Sequence, residues 1–403
     1  MTTLFFELLQ VAIGNKSELS QVPAAGEWKE LYALAQKQTL VGVAFRGIEQ
    51  LPAEQRPPKS LLMQWMMATE RIKAMNADLD HKALMVANKF LEEGFPGVVL
   101  KGQGVAKLYR VEQIENSKLK IDNCRDEENE NGHSDGELST LNSQRSIRNY
   151  RMPGDVDIWL QGGREKILGY VRQHVPDCKP VYHHVDFPVV EGMEIEVHFT
   201  PSWMNSPVTN RRLQQFFRES ADALFARNDN VNVDKNSSQL VNNYKEIPSP
   251  NLSFNRVYIL VHIYRHLFYE GIGLRQLLDY YFVLSQGFTE EERAETMRTL
   301  RSLRMQRFTA AVMWVLQQVY GMDSRYLLTE PDEREGRFLL DEIMLAGNFG
   351  HYDKRFQRKE NENTLHRALR KMKRNFRFVT NYPSEVLWSP IFNLWHYFWR
   401  KRL

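Results

Sequence analysis

The chain has 403 residues, 42% of them hydrophobic and 26% charged, with a net charge of +3. This excludes a disordered, collagen-like or low-complexity chain, and so small a charge gives no sign of a nucleic-acid binder. The length suits two or three compact units. Mean hydropathy is -0.50, and no stretch approaches the roughly 20 apolar residues a membrane span requires.

The opening run from Met1 to Leu9 lacks a basic region and carries Glu7, so no secretory leader is expected. Two cysteines, Cys124 and Cys178, exclude a disulfide framework and a cysteine-rich zinc site. They point to a reducing cytoplasm.

Residues 1–95 read as an N-terminal helical region. Leu4, Leu8, Val11 and Ala12 recur at helical spacing, and a long helix is expected from about Lys59 to Glu93. Leu62, Trp65, Met66, Ile72, Leu79, Leu84, Met85 and Leu91 are its expected buried positions, the methionines serving as core filler.

The period changes in residues 96–227. Val98-Val99-Leu100 reads as a buried strand, followed by the turn Lys101-Gly102-Gln103-Gly104 and a short helix over Val105–Tyr109. A second strand is expected over Asp155–Leu160 and a helix over Arg164–Val175. Two more strands follow near Tyr182–Val189 and Glu194–Phe199, joined by a hairpin turn at Glu191-Gly192-Met193. This order predicts a small α/β or α+β sheet domain. Residues 111–146 interrupt it with nine Asp or Glu against four Lys or Arg and few apolar residues. They read as a mobile surface insertion.

Residues 228–350 begin with a polar, Asn-rich connector and continue as a helical domain. Residues 351–403 form a basic, aromatic C-terminal segment with thirteen Lys or Arg against four Asp or Glu. Its end, residues 387–403, combines tryptophans with a basic cluster. It is a candidate for peripheral membrane contact, with docking on the protein itself or on a partner as the default. Pro390 is expected to interrupt it.

The chemical signal lies in the sheet domain. Asp155 and Asp157 are two apart on a strand, so both carboxylates share a face while Val156, Ile158 and Leu160 turn to the core. Two carboxylates this close need a positive partner, which a divalent cation such as Mg²⁺ (or Mn²⁺) supplies. Along Ile195-Glu196-Val197-His198 the polar residues again share one face. Glu196 then completes a site for two metal ions. Lys101, Gly102 and Gly104 join a strand to a helix, where backbone N–H groups can face a phosphate.

Gly102, Asp155-Val-Asp157 and Glu196, in that order, resemble the pattern of the DNA polymerase β-like nucleotidyltransferase superfamily. Leu100-Lys-Gly102, Arg151-Met-Pro-Gly-Asp-Val-Asp157, Ile195-Glu-Val-His198 and the stretch His262–Leu284 are similar to hallmarks of its bacterial family of uncharacterised nucleotidyltransferases. The resemblance implies an α+β fold, in which a small mixed sheet forms a nucleotidyltransferase core flanked by N-terminal and C-terminal helical regions. It also implies two-metal transfer of a nucleoside monophosphate from an NTP to a hydroxyl on a small molecule, sugar or protein. Asp155 and Asp157 would bridge the ions, and Glu196 would hold the ion that activates the hydroxyl. Lys101, Gly102, Gly104 and Arg151 would bind the nucleotide. Arg151 has two readings, a partner for a phosphate or the carboxylates and a surface arginine before a strand.

The chain departs from the superfamily in having Gln103 where a serine commonly follows the glycine, and in its acidic insertion. A non-catalytic nucleotide-binding or scaffold protein that retains the fold is therefore the alternative. His198 reads either as a proton-transfer or ligand-binding group or as a structural histidine. His262 and His266 lack the glutamate of a zincin motif and read as packing residues. Arg275 and Asp279 are spaced for a helix pair, and Tyr182-His183-His184 reads simply as strand.

Overall fold

The computed structural model describes residues 1–111, 146–226, 243–356 and 363–402. The acidic stretch 112–145, with Cys124, and most of the connector after residue 227 lie outside them. The fold is α+β, a four-stranded mixed sheet among many helices.

Helices α1 (Thr2–Ala12), α2 (Ala25–Lys37) and α3 (Val41–Gln50) lead into the 34-residue α4 (Lys59–Glu92). The buried side of α4 is Trp65, Thr69, Ile72, Asn76, Leu79, Ala83, Val86 and Phe90. These steps of four and three keep one stripe inward over the whole length. The methionines expected as core filler are not in it, since Met66 and Met85 are exposed along with Met63, Met67 and Met75. Small and polar residues take inward positions instead, because one of them has bonding to do. Buried Asn76 donates to the carbonyls of Asn149 and Arg151, at 3.0 and 2.7 Å, and so fixes the loop leading to the aspartate pair.

The sheet comprises β1 (Gly97–Val99), β2 (Val156–Leu160), β3 (His184–Asp186) and β4 (Ile195–His198), in the order β1-β2-β4-β3. β2 runs parallel to β4, and the other two pairings are antiparallel. One face is dry. Val99, Val156, Ile158, Val185, Ile195 and Val197 pack there with the second half of α4 and with α6 (Arg164–His174). Between β1 and α6 lie the four-residue helix α5 (Gln103–Ala106) and β2.

The other face meets a larger core. It is built from α1–α3, the first half of α4, and the helices α7 (Pro207–Ala226), α8 (Leu252–Tyr269), α9 (Leu274–Leu284), α10 (Glu290–Ser302), α11 (Gln306–Tyr320) and α12 (Glu333–Ala346). Two further helices, α13 (Thr364–Phe376) and α14 (Pro383–Arg400), end the described chain.

α14 runs unbroken through Pro390, so the expected interruption does not occur. Proline there forfeits one ladder bond to the carbonyl four residues back, and packing of the inner face compensates. Phe392 stacks on Trp203, with ring centroids 6.0 Å apart, and the Arg164 guanidinium lies over Trp399. Buried Glu385 accepts the backbone N–H of Asn205 at 2.8 Å. Burial outweighs these hydrogen bonds and pushes its pKa up to about 7.

A carboxyl raised in the folded state binds its proton more tightly there than in the unfolded chain. Its contribution is therefore complete below the ordinary value of 4.5 and is lost as pH rises through about 7. At about 1.4 kcal/mol per unit, the difference reaches at most about 3 kcal/mol. Glu385→Gln is expected to flatten stability against pH between 5 and 8, read as the urea midpoint. An unchanged slope would remove Glu385 as the cause.

Candidate active site

Register builds the polar face of the sheet. Asp157 pairs with Glu196, Asp186 with Glu196, and His184 with His198. Side chains directly opposite one another share a face, so Asp157, Glu196, His198, His184 and Asp186 all lie on the side away from the dry core. Asp155, two residues before Asp157, has the same parity.

The turn after β1 is pinned to this row, because the N–H of Leu100 donates to the carbonyl of Asp157 at 2.9 Å. Lys101 therefore stands beside the aspartates. Its Nζ lies 3.0 Å from both Asp155 oxygens and 3.1 Å from Asp157 Oδ2. The cation that the pair demands is thus partly supplied by the chain itself. Burial opposes the Lys101 charge, but Asp157, Asp155 and Glu196 more than reverse this and raise its pKa. Burial likewise disfavours the Asp157 carboxylate, yet Lys101 and then His198 leave its pKa lowered.

His198 is the second internal cation. Its Nε2 lies 3.3 Å from Glu196 Oε2 and 3.7 Å from Asp157 Oδ1. These distances suit charge attraction, but neither contact has hydrogen-bond geometry. Burial works against the imidazolium, while Asp157 and Glu196 raise its pKa to about 9. Burial would raise Glu196, but His198 and then His184 draw it down to about 2. His184 Nδ1 stands 3.1 Å from Glu196 Oε2, and burial with the neighbouring His198 charge pushes its pKa down to about 4.

The glycines of the turn differ in purpose. Gly102 has φ +57°, and a Cβ there would meet nothing closer than 3.7 Å, so its need is conformational. A Cβ on Gly104 would fall 2.0 Å from the Val99 carbonyl oxygen, so its bareness serves the packing of α5 on β1. Gln103, in place of the usual serine, donates to Asp80 of α4.

Arg151 is no surface residue. It is buried, and its guanidinium grips Asp279 with two hydrogen bonds, at 2.7 and 2.8 Å. Asp279 also accepts the Tyr109 hydroxyl. The expected helix pair is therefore replaced, and Arg275 donates to the carbonyls of Met152 and Pro153, at 3.0 and 3.2 Å. Both arginines hold the loop that carries Asp155.

The polar face opens into a cavity of about 600 Å³, within the range of small-molecule sites. The sheet supplies Asp155, Asp157, Glu194 and Glu196, with Lys101, His183 and His184. Helix α8 supplies His262, Arg265 and His266, with Glu270 just past its end, and α14 closes one side with Phe392, Asn393 and His396. His262 packs on Tyr258, and His266 pairs with Glu270 at 3.1 Å.

Two features of the site are not visible in single elements. Spacing shows His183 and His184 only as strand; the β3–β4 register sets His184 opposite His198 and 3.1 Å from Glu196, with His183 beside it. Arg265 was hidden in an apolar helix pattern. Its guanidinium lies 3.8 Å from the centre of the Trp203 ring, and no carboxylate among the described residues stands at ion-pair distance from it.

A metal fits on this face. Asp157 Oδ1 is buried without a hydrogen-bond partner, and carboxylate oxygens suit Mg²⁺ or Mn²⁺. Among the described residues, Asp157, Glu196 and His198 offer ligand atoms within 4.8 Å of one another. Two further groups do the same, His183 with His184 and His198, and His184 with Asp186 and Glu196. Asp155 belongs to none of the three.

A family model described as an uncharacterised nucleotidyltransferase matches residues 24–114 and 149–321, more than half of the chain. The gap between the two matched segments falls on the acidic stretch. No curated protein and no solved structure matches the chain.

Proposed function

Because the chain belongs to a family of uncharacterised nucleotidyltransferases, we propose that it moves a nucleoside monophosphate from an NTP to a hydroxyl acceptor. The observation that carries this reading is one row of carboxylates, Asp155, Asp157 and Glu196, on a sheet face that opens into a cavity. In the reaction the acceptor oxygen bonds the α-phosphorus, its proton leaves, and pyrophosphate departs. Asp155, Asp157 and Glu196 would hold divalent ions, Mg²⁺ or Mn²⁺. Such ions lower the pKa of the attacking hydroxyl and offset phosphate charge.

The remaining roles fall to the chain's own groups. Gly102 shapes the turn beside the aspartates, and Gly104 lets that turn pack. Lys101 is committed to Asp155 and Asp157 and sets the charge at the cavity floor. Arg265, stacked on Trp203, is the cation directed at a triphosphate. Arg151 acts through the loop it holds. We assign the nucleotidyltransferase core to residues 96–227, with 1–95 and 228–350 as its helical surround and 351–403 as its closing segment.

One observation favours the non-catalytic alternative. Lys101 already offsets part of the charge of the aspartate pair, as it would in a protein that kept the fold and lost the chemistry. Incubating the full chain with each NTP, Mg²⁺ or Mn²⁺, and cell extract tests the two readings. Release of pyrophosphate with a labelled acceptor supports the enzyme, and nucleotide binding without release supports the alternative.

We also propose that the protein works in the cytoplasm with α14 against a membrane surface. No helix among the described residues is long and apolar enough to cross a membrane. The inner aromatics of α14 dock on the protein, whereas Leu387, Ile391, Leu394 and Phe398 form an exposed stripe before Arg400, Lys401 and Arg402. Basic residues near an anionic surface contribute about 1 kcal/mol each. The full chain is expected to sediment with anionic vesicles at low salt, and Ile391→Glu with Leu394→Glu to remain in the supernatant. A wild-type protein that stays in the supernatant ends this reading.

A further inference from the structure

We infer that His198 is a direct ligand, together with Asp157 and Glu196, of a divalent transition-metal ion held in preference to Mg²⁺. This deepens the nucleotidyltransferase reading by naming the class of ion at its site. It does not require that reading to be correct, since the three side chains converge whatever the cavity binds.

Geometry is the first argument. Three atoms each about 2.1 Å from one ion stand roughly 3.0–3.5 Å apart. His198 Nε2 lies 3.3 Å from Glu196 Oε2 and 3.7 Å from Asp157 Oδ1. Both distances to His198 are close to what a shared ion imposes, and the third pair, Asp157 with Glu196, lies within 4.8 Å.

Satisfaction is the second. His198 is 2% exposed and Asp157 1%. Buried polar atoms almost always find partners, yet His198 Nε2, His198 Nδ1 and Asp157 Oδ1 have no hydrogen bond. Two of these atoms belong to the converging set. An ion among them satisfies both and replaces the charge attraction that now draws the imidazole to the carboxylates.

Ligand chemistry is the third. Mg²⁺ takes oxygen and keeps its waters, whereas imidazole suits first-row transition ions. Asp155 stands apart from the set, held by Lys101. The sheet face is thus divided between an oxygen-only half at Asp155 and a mixed nitrogen and oxygen half at His198. His184 Nδ1 lies 3.1 Å from Glu196 Oε2 and 2.9 Å from His183 Nε2, so its replacement tests which imidazole ligates.

The test uses the full chain loaded with Mn²⁺ and no nucleotide, so its outcome is independent of any transferase activity. Pulsed electron paramagnetic resonance reads directly bound nitrogen. Modulation from ¹⁴N is expected in the wild type and in His184→Gln, and its loss in His198→Gln. Calorimetry is expected to give Mn²⁺ binding at least tenfold tighter than Mg²⁺, with the preference largely lost in His198→Gln. Oxygen ligation alone in the wild type would overturn the inference, as would loss of the nitrogen signal in His184→Gln. If His198→Gln does not fold, a nitrogen signal kept in both His183→Gln and His184→Gln still assigns the ligand to His198, and its loss in either overturns the inference. Failure of pyrophosphate release, by contrast, would overturn the transferase reading and leave this one standing.

Discussion

Asp157→Asn is expected to lower pyrophosphate release by about a thousandfold, as the loss of several kcal/mol of charge stabilisation implies. The carboxylate sits at the centre of the polar row. Lys101 holds Oδ2 at 3.1 Å, the Glu196 strand position lies directly opposite, and Oδ1, 3.7 Å from His198 Nε2, accepts no hydrogen bond. The amide preserves shape and removes the charge that an ion requires.

Repulsion from Asp155 suggests at first that the change should cost no stability. The Lys101 contact reverses this, because the buried ammonium loses one of its partners and keeps only Asp155. A loss of about 1–3 kcal/mol is expected, the usual result of unpairing a buried polar group. Asp155→Asn, in a half-buried position, should cost less. Rates are therefore compared per folded molecule, with the folded fraction taken from a urea titration. Wild-type release from folded Asp157→Asn would remove Asp157 from the catalytic role.

How far the sequence carries this site depends on the range of each interaction. Alternation along a strand is local, so the shared face of Asp155 and Asp157, and that of Glu196 and His198, could be read from spacing. The dry face was legible for the same reason, in Val156, Ile158, Ile195 and Val197. Register is not local. Nothing within Tyr182–Asp186 says that His184 will stand opposite His198, and the short β3 gains its place only by pairing with β4. The α4 stripe failed differently. Hydrophobicity puts Met66 and Met85 inward, but the heptad-like steps, not side-chain polarity, decide which residues turn inward, and they select Thr69 and Asn76. Asn76 is buried because it bonds the 149–151 loop, a partner more than seventy residues away. The turn around Lys101 suggests phosphate binding, because its link to Asp155 spans 54 residues and is invisible to any short window.

Arg151 yields the largest expected effect on stability. The resemblance implies contact with a nucleotide, whereas the guanidinium is buried and bonded twice to Asp279. Breaking a buried pair by removing one partner typically costs about 3–5 kcal/mol, because the other charge is left uncompensated. Arg151→Ala is expected to fall in that range, with the loss read as a lower urea midpoint. Tyr109 still donates to Asp279 and offsets part of the cost. Arg151→Lys should recover little, since an ammonium cannot reproduce the two-pronged contact.

A nucleotide-binding role and a loop-holding role then predict different kinetics. Direct phosphate contact would raise KM for the NTP in the folded variant while leaving the midpoint nearly unchanged. A residue that only holds the loop lowers the midpoint and, through displaced Asp155, lowers kcat with KM little altered. The same loop is fixed from two other sides, by Asn76 at the Arg151 carbonyl and by Arg275 at the Met152 carbonyl. Its position therefore survives partly without Arg151, and the kcat loss should be smaller than that of Asp157→Asn. A wild-type midpoint with a raised KM would return Arg151 to the nucleotide.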